Sequence, residues 1–245
     1  AGNLRNKIQL SKSDYIIILV NTFFYFGFGI SAINLWNPNF RGLFTVTLAM
    51  YNLLYAMLLY KKFGIDKNAV YLLLGLTLTF VTIAIPIQFR GNYITLFWAG
   101  EAVVLFWLAQ KSKIKGFKFG AVIVQILMFI SLIMDWNQKY TISEKTLIIV
   151  FNPIFITGLV VIASLVATYF ILKKEKEKQD IFSFSFNPVI YSKIIKILAV
   201  FLVYFVGIFE INYQSNQRID NSISAQSFSV LFHYVFSVIL ILFIL

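Results

Sequence analysis

Cysteine is absent and histidine occurs once, at His233. Without thiols the chain can form no disulfide, and it has no Cys-based nucleophile or metal ligand. One imidazole cannot supply the several N or S ligands that a zinc site needs, so neither a metal nor another cofactor is expected. Charge is scarce too. Only 13% of the 245 residues are charged, against roughly 25% in an ordinary soluble domain. There is no glycine-rich phosphate loop and no G-x-S-x-G motif. No cleavable signal peptide is evident, because the first apolar run is too long and lacks a small-residue cleavage site.

The chain is rich in apolar length, with 60% hydrophobic residues. They fall into separate runs of about 20, the length that crosses a hydrocarbon core of about 30 Å as helix. The runs are apolar all round instead of alternating, which excludes a β-barrel. Eight spans are expected, at about 15–35, 43–60, 69–87, 93–110, 117–134, 153–172, 189–211 and 226–245. The fold class is therefore an all-α, polytopic transmembrane helical bundle, with 1–245 forming one transmembrane region. Ala1 is not an initiator methionine and Leu245 ends inside an apolar run, so a longer parent chain is expected.

The net charge of +11 would suggest nucleic acid in a soluble protein. Here it follows from lysines that flank the spans on one side, so no nucleic acid is expected and the bilayer is the partner. Only Arg41, Arg90, Lys139, Lys145 and Arg218 fall on the other side, leaving 16 of the 21 basic residues together. The positive-inside rule makes the lysine-rich side, with both chain ends, cytoplasmic. Trp36, Tyr93, Trp136, Tyr140 and Tyr213 lie where an aromatic belt would form on the far side.

Asn-Pro occurs at 37–38, 152–153 and 187–188, and each pair suits a helix start, with Asn as N-cap and Pro in the first turn. For the sixth span, a start at Pro153 leaves Thr146 to Phe151 at the outer interface or re-entering. The alternative is one long helix kinked at Pro153. Phe182, Phe184 and Phe186 alternate with serine, a pattern that fits either a short strand or, as preferred here, an interfacial segment inserting phenylalanines.

Chemistry concentrates at Glu101, near the middle of the fourth span. An acid at mid-membrane costs about 2.5–3.5 kcal/mol on insertion scales, so its default reading is functional. Counting helix rise puts Asn52, Gln125 and His233 in the same layer within a turn, with Thr79 and Thr82 close by. Structural hydrogen bonding between spans is the ordinary role for the amides and the histidine, at about 0.6 kcal/mol each. No Lys or Arg lies inside an apolar run, so a buried salt bridge inside the bundle is not expected. Glu210 and Asp220 flank the last outer loop, and Asp135 and Glu144 the loop before. With Arg90 and Arg218 they could form an outer-face site, although surface charge is their ordinary reading.

The stretch Pro86-Ile-Gln88-Phe-Arg-Gly91-Asn-Tyr93, followed by Trp98-Ala99-Gly100-Glu101-Ala102, resembles the signature of the DUF2339 predicted bacterial membrane proteins. The resemblance is specific over about 35 residues and general elsewhere. Gly100 stands where leucine is usual. The resemblance implies a bacterial inner-membrane, multi-pass protein, part of a longer chain with more spans, and marks Trp98 and Glu101 as family features. It implies no particular activity. Two functions fit the residues. The favoured one is a non-enzymatic, transporter-like or scaffold subunit with a mid-membrane polar site at Glu101, partnered by the rest of its chain or other membrane subunits. The alternative is a membrane enzyme acting on a lipid-linked or envelope substrate at the outer face, using Arg90, Glu210 and Arg218.

Overall fold

The computed structural model describes residues 11–63, 67–141, 147–175, 178–181 and 184–244. Glu144, Thr146, Lys145 and Phe182 lie outside them. Among the described residues, eight helices are long and apolar enough to cross a membrane, so the chain is an all-α multi-pass protein. It folds as two compact units, residues 1–90 and 91–245.

In the first unit, α1 (Lys12–Trp36) begins with a capping box in which Ser11 and Asp14 satisfy each other's backbone N–H groups. Asn37-Pro38 ends it and opens a single 3-10 turn, which leads into α2 (Arg41–Leu58). α2 buries Gly42, Thr45, Leu48, Ala49, Asn52 and Ala56, a stripe at three- and four-residue spacing that packs on α3 (Lys67–Gln88). Leu73, Leu76 and Phe80 fill the core between them. At the end of α3 the Gly42 N–H donates to Gln88 Oε1 over 2.8 Å, closing the unit. A Cβ at residue 42 would sit 2.5 Å from Gln88 Cβ, so the contact requires glycine.

Gly91 starts the second unit with φ +66° and ψ −147°, a conformation open essentially only to glycine. Five helices follow: α4 (Asn92–Ser112), α5 (Lys115–Trp136), α6 (Pro153–Leu172), α7 (Pro188–Arg218) and α8 (Ser222–Ile244). Ala99, Met128, Leu132, Val161, Leu165, Ile195 and Leu202 form the shared core of α4 to α7. The face that α4 buries carries Ala99, Ala102 and Ala109, side chains small enough for helix backbones to approach closely.

Three local outcomes bear on the site. α6 begins at Pro153 with Asn152 as N-cap, accepting from the N–H groups of Ile154 and Phe155, so the kinked long helix does not form. α7 runs on past the expected 211 to Arg218, because Tyr213, Gln214 and Ser215 are buried there. Phe184–Phe186 is a strand paired antiparallel with Gln179–Ile181. This corrects the preferred interfacial reading: Phe186 is buried beneath Lys118 instead of entering lipid, its ring centroid 5.2 Å from the Lys118 Nζ.

Candidate functional site

The buried face of α5 places Lys118, Gln125, Ser131 and Asp135 on one line. From 118 to 135 is 17 residues, about 26 Å of helix, close to the thickness of a hydrocarbon core. Three groups of partners attach to this line.

At one end, Thr95 of α4 donates its hydroxyl to Asp135 Oδ2 over 2.6 Å. Ser131 Oγ lies 2.6 Å from the same hydroxyl. The single Thr95 proton is committed to the carboxylate, so Ser131 is the donor in the second contact. Asp135 is thus buried and bonded, where the sequence reading made it a loop acid. Its position at the end of a span hid its partner, 40 residues away.

In the middle, the Tyr191 hydroxyl of α7 donates to Gln125 Oε1 over 2.7 Å. The tyrosine ring stacks obliquely on Phe106 of α4. Gln125 Nε2 and, on α6, Thr168 Oγ1 are buried without a hydrogen-bond partner among the described residues. The Ser164 hydroxyl donates to Val161 O of its own helix over 2.7 Å, and its oxygen lies 3.6 Å from Met128 Sδ, a contact that gives the register of α6 on α5. One turn along α6 and nearly one back along α5 bring Thr168 to the depth of Gln125. The Thr95–Ser131 contact does the same for α4: six residues along each antiparallel helix lead to Glu101 and Gln125. Glu101 is half-buried, its Oε2 fully so, and Trp98 one turn away packs against the core cluster.

At the far end, Lys118 is buried and forms an ion pair with Glu175, just past α6. The pair stands at the ends of the two helices, outside the apolar runs where none was expected. Lys118 sits in the first turn of α5, where sequence alone places it among solvated lysines.

The remaining candidates each have their own surroundings. Asn52 is buried in the first unit, its amide donating to Leu48 O of its own helix over 2.8 Å. His233 is exposed on α8 and bonded to the Tyr204 hydroxyl of α7 at 3.1 Å. Arg90 is exposed at the end of the first unit. Glu210 is neither in a loop nor on the surface: it is buried in α7 and accepts from four groups. These are the Tyr140 hydroxyl (2.9 Å), the Val150 N–H (3.0 Å), Asn152 Nδ2 (2.9 Å) and Gln214 Nε2 (2.9 Å). Arg218 Nε donates to Gln214 Oε1 over 3.1 Å, which ties it to the same group. Asp220 is exposed, in keeping with a surface acid.

Residues 14–245 match the family model described as "Predicted membrane protein (DUF2339)". The chain belongs to this family. No curated protein and no solved structure matches it. In this DUF2339 chain the residues that carry the resemblance have identifiable local roles. Gln88 closes the first unit, Gly91 makes the turn, and Ala99 and Ala102 let α4 pack closely. Glu101 lies beside that packed face, at the depth of Gln125.

Proposed function

We propose that this membrane protein is a non-enzymatic, transporter-like subunit that passes protons along the seam between α4, α5 and α6, by way of Glu101. The observation that carries the reading is the line of Asp135, Ser131, Gln125 and Lys118 on the buried face of α5. Carboxylates inside membranes mark ion and proton pathways by default, and here one stands at each of two depths on the seam. Asp135, Thr95 and Ser131 already form a hydrogen-bonded chain. The unspent donor on Gln125 and the hydroxyl of Thr168 extend polar capacity to the depth of Glu101. A proton entering at Asp135 would be held at Glu101 and leave toward Lys118 and Glu175.

In this reading the lysine-rich face is cytoplasmic, the membrane is a bacterial inner membrane, and further spans or subunits complete the assembly. The outer-face enzyme has less support, since both Glu210 oxygens already accept hydrogen bonds. The test is reconstitution into vesicles holding a pH-sensitive dye, with a potassium diffusion potential as driving force. Acidification above protein-free vesicles is expected, with Glu101→Gln reducing the rate about tenfold or more, as loss of a relay acid does. Flux equal to that of protein-free vesicles would sink the proton reading and leave a scaffold.

A further inference from the structure

Between the π-helical turn Asn137–Thr141 and α6 the chain shows a second feature, independent of the seam. Residues 147–152 are not helical, yet four in a row are apolar and exposed, with Ile148 at 69% and Phe151 at 78%. An apolar loop of this kind would ordinarily have its backbone solvated by water. Here α7 serves part of that backbone. The Leu147 N–H donates to the Tyr213 hydroxyl over 3.2 Å, and Gln214 Nε2 reaches the carbonyls of Leu147 and Ile148 at 3.3 Å. Asn152 Nδ2 donates to Ile148 O over 3.1 Å, and the Val150 N–H donates to Glu210. Val150 holds φ +62°, a left-handed conformation that a β-branched residue keeps only where its surroundings fix it.

Irregular backbone exposed to lipid does not occur deep in the hydrocarbon, so such a segment belongs at its edge, where interfacial water can serve what protein does not. Here protein serves the N–H groups of Leu147 and Val150 and the carbonyls of Leu147 and Ile148, and the exposed side chains are ones hydrocarbon accepts. Depth agrees. α6 has 20 residues, about 30 Å, so the segment just before Pro153 lies at the edge of the hydrocarbon core. α7 continues beyond Glu210 to Arg218, about 12 Å further, so the segment is not the outermost part of this face.

We propose that Ile148–Phe151 is a wedge inserted among the acyl chains of the lysine-poor leaflet, held there by Glu210, Tyr213 and Gln214. The absence of cysteine makes the test direct. Nitroxide labels would be placed singly at Ile148, Ile149 and Phe151 in the full chain reconstituted in bilayers. Leu159, an exposed position in α6, serves as lipid control and Asp220 as water control. Dissolved oxygen should relax the wedge labels more strongly than a water-soluble nickel chelate does, as at Leu159 and opposite to Asp220. Stronger relaxation by the chelate would make the segment an aqueous loop. Weak relaxation by both would mean that another polypeptide covers it. Either result overturns the proposal. Glu210→Gln, or Tyr140→Phe where that variant fails to fold, should raise chelate access at Phe151. Unchanged access would overturn the role given to the clasp.

Discussion

Four donors converge on Glu210, and truncating it leaves the Tyr140 hydroxyl and the Val150 N–H without an acceptor while Asn152 and Gln214 each lose one. A buried donor left without an acceptor costs about 1–3 kcal/mol, so Glu210→Ala should lower stability by about 3 kcal/mol or more. Thr95→Val should cost about 1–3 kcal/mol, since it takes the donor from Asp135 and the acceptor from Ser131. Thermal unfolding in detergent, followed by size exclusion, checks both. A Thr95→Val variant as stable as the parent would show that the Asp135 network contributes nothing. At this scale sequence reading was uneven for a physical reason. Glu101 stood out because its whole neighbourhood in sequence is apolar. Glu210 and Asp135 sit near span ends, where acids are ordinarily solvated. Their partners, Tyr140 and Thr95, are 70 and 40 residues away and so invisible to local pattern.

Helix positions were far more legible than helix partners. Length and hydropathy mark a span without reference to its neighbours, and the Asn-Pro pairs mark the starts of α6 and α7 by local capping chemistry. Which face each span buries depends on side chains of other helices, which is why counting helix rise did not reveal that His233 is exposed on α8. The α2–α3 contact offers a test at this level. Gly42→Ala drives a methyl into Gln88 Cβ at 2.5 Å and should destabilise by about 1–3 kcal/mol, as overpacking does. Gly27→Ala meets nothing within 4 Å and should be neutral or gain up to about 1 kcal/mol of helix propensity. Equal melting temperatures for the two variants would remove the close approach at Gly42 from the account.

For the molecule as a whole, the eight-span, all-α architecture follows from the distribution of apolar length, and the charge bias predicts an orientation. Single cysteines at Ser112 and Asp220 check the latter with a membrane-impermeant thiol reagent. Asp220→Cys should react in intact cells and Ser112→Cys only after permeabilisation, and the reverse pattern would invert the topology. The division at Arg90 and Gly91 was not legible, because it falls inside the stretch that carries the family resemblance, between the third and fourth expected spans.

The bond between Gln88 and Gly42 also orders events in time. Gln88 is among the last residues of its unit to be synthesised, and its partner opens α2, 46 positions earlier. Translation at about 5–20 residues per second leaves roughly 8–30 s between completion of residue 90 and residue 245. The first three helices can therefore latch shut at the translocon before most of the second unit has been made. A defect at Gly42 or Gln88 would then appear first as an early nascent-chain failure, ahead of any loss in the finished protein.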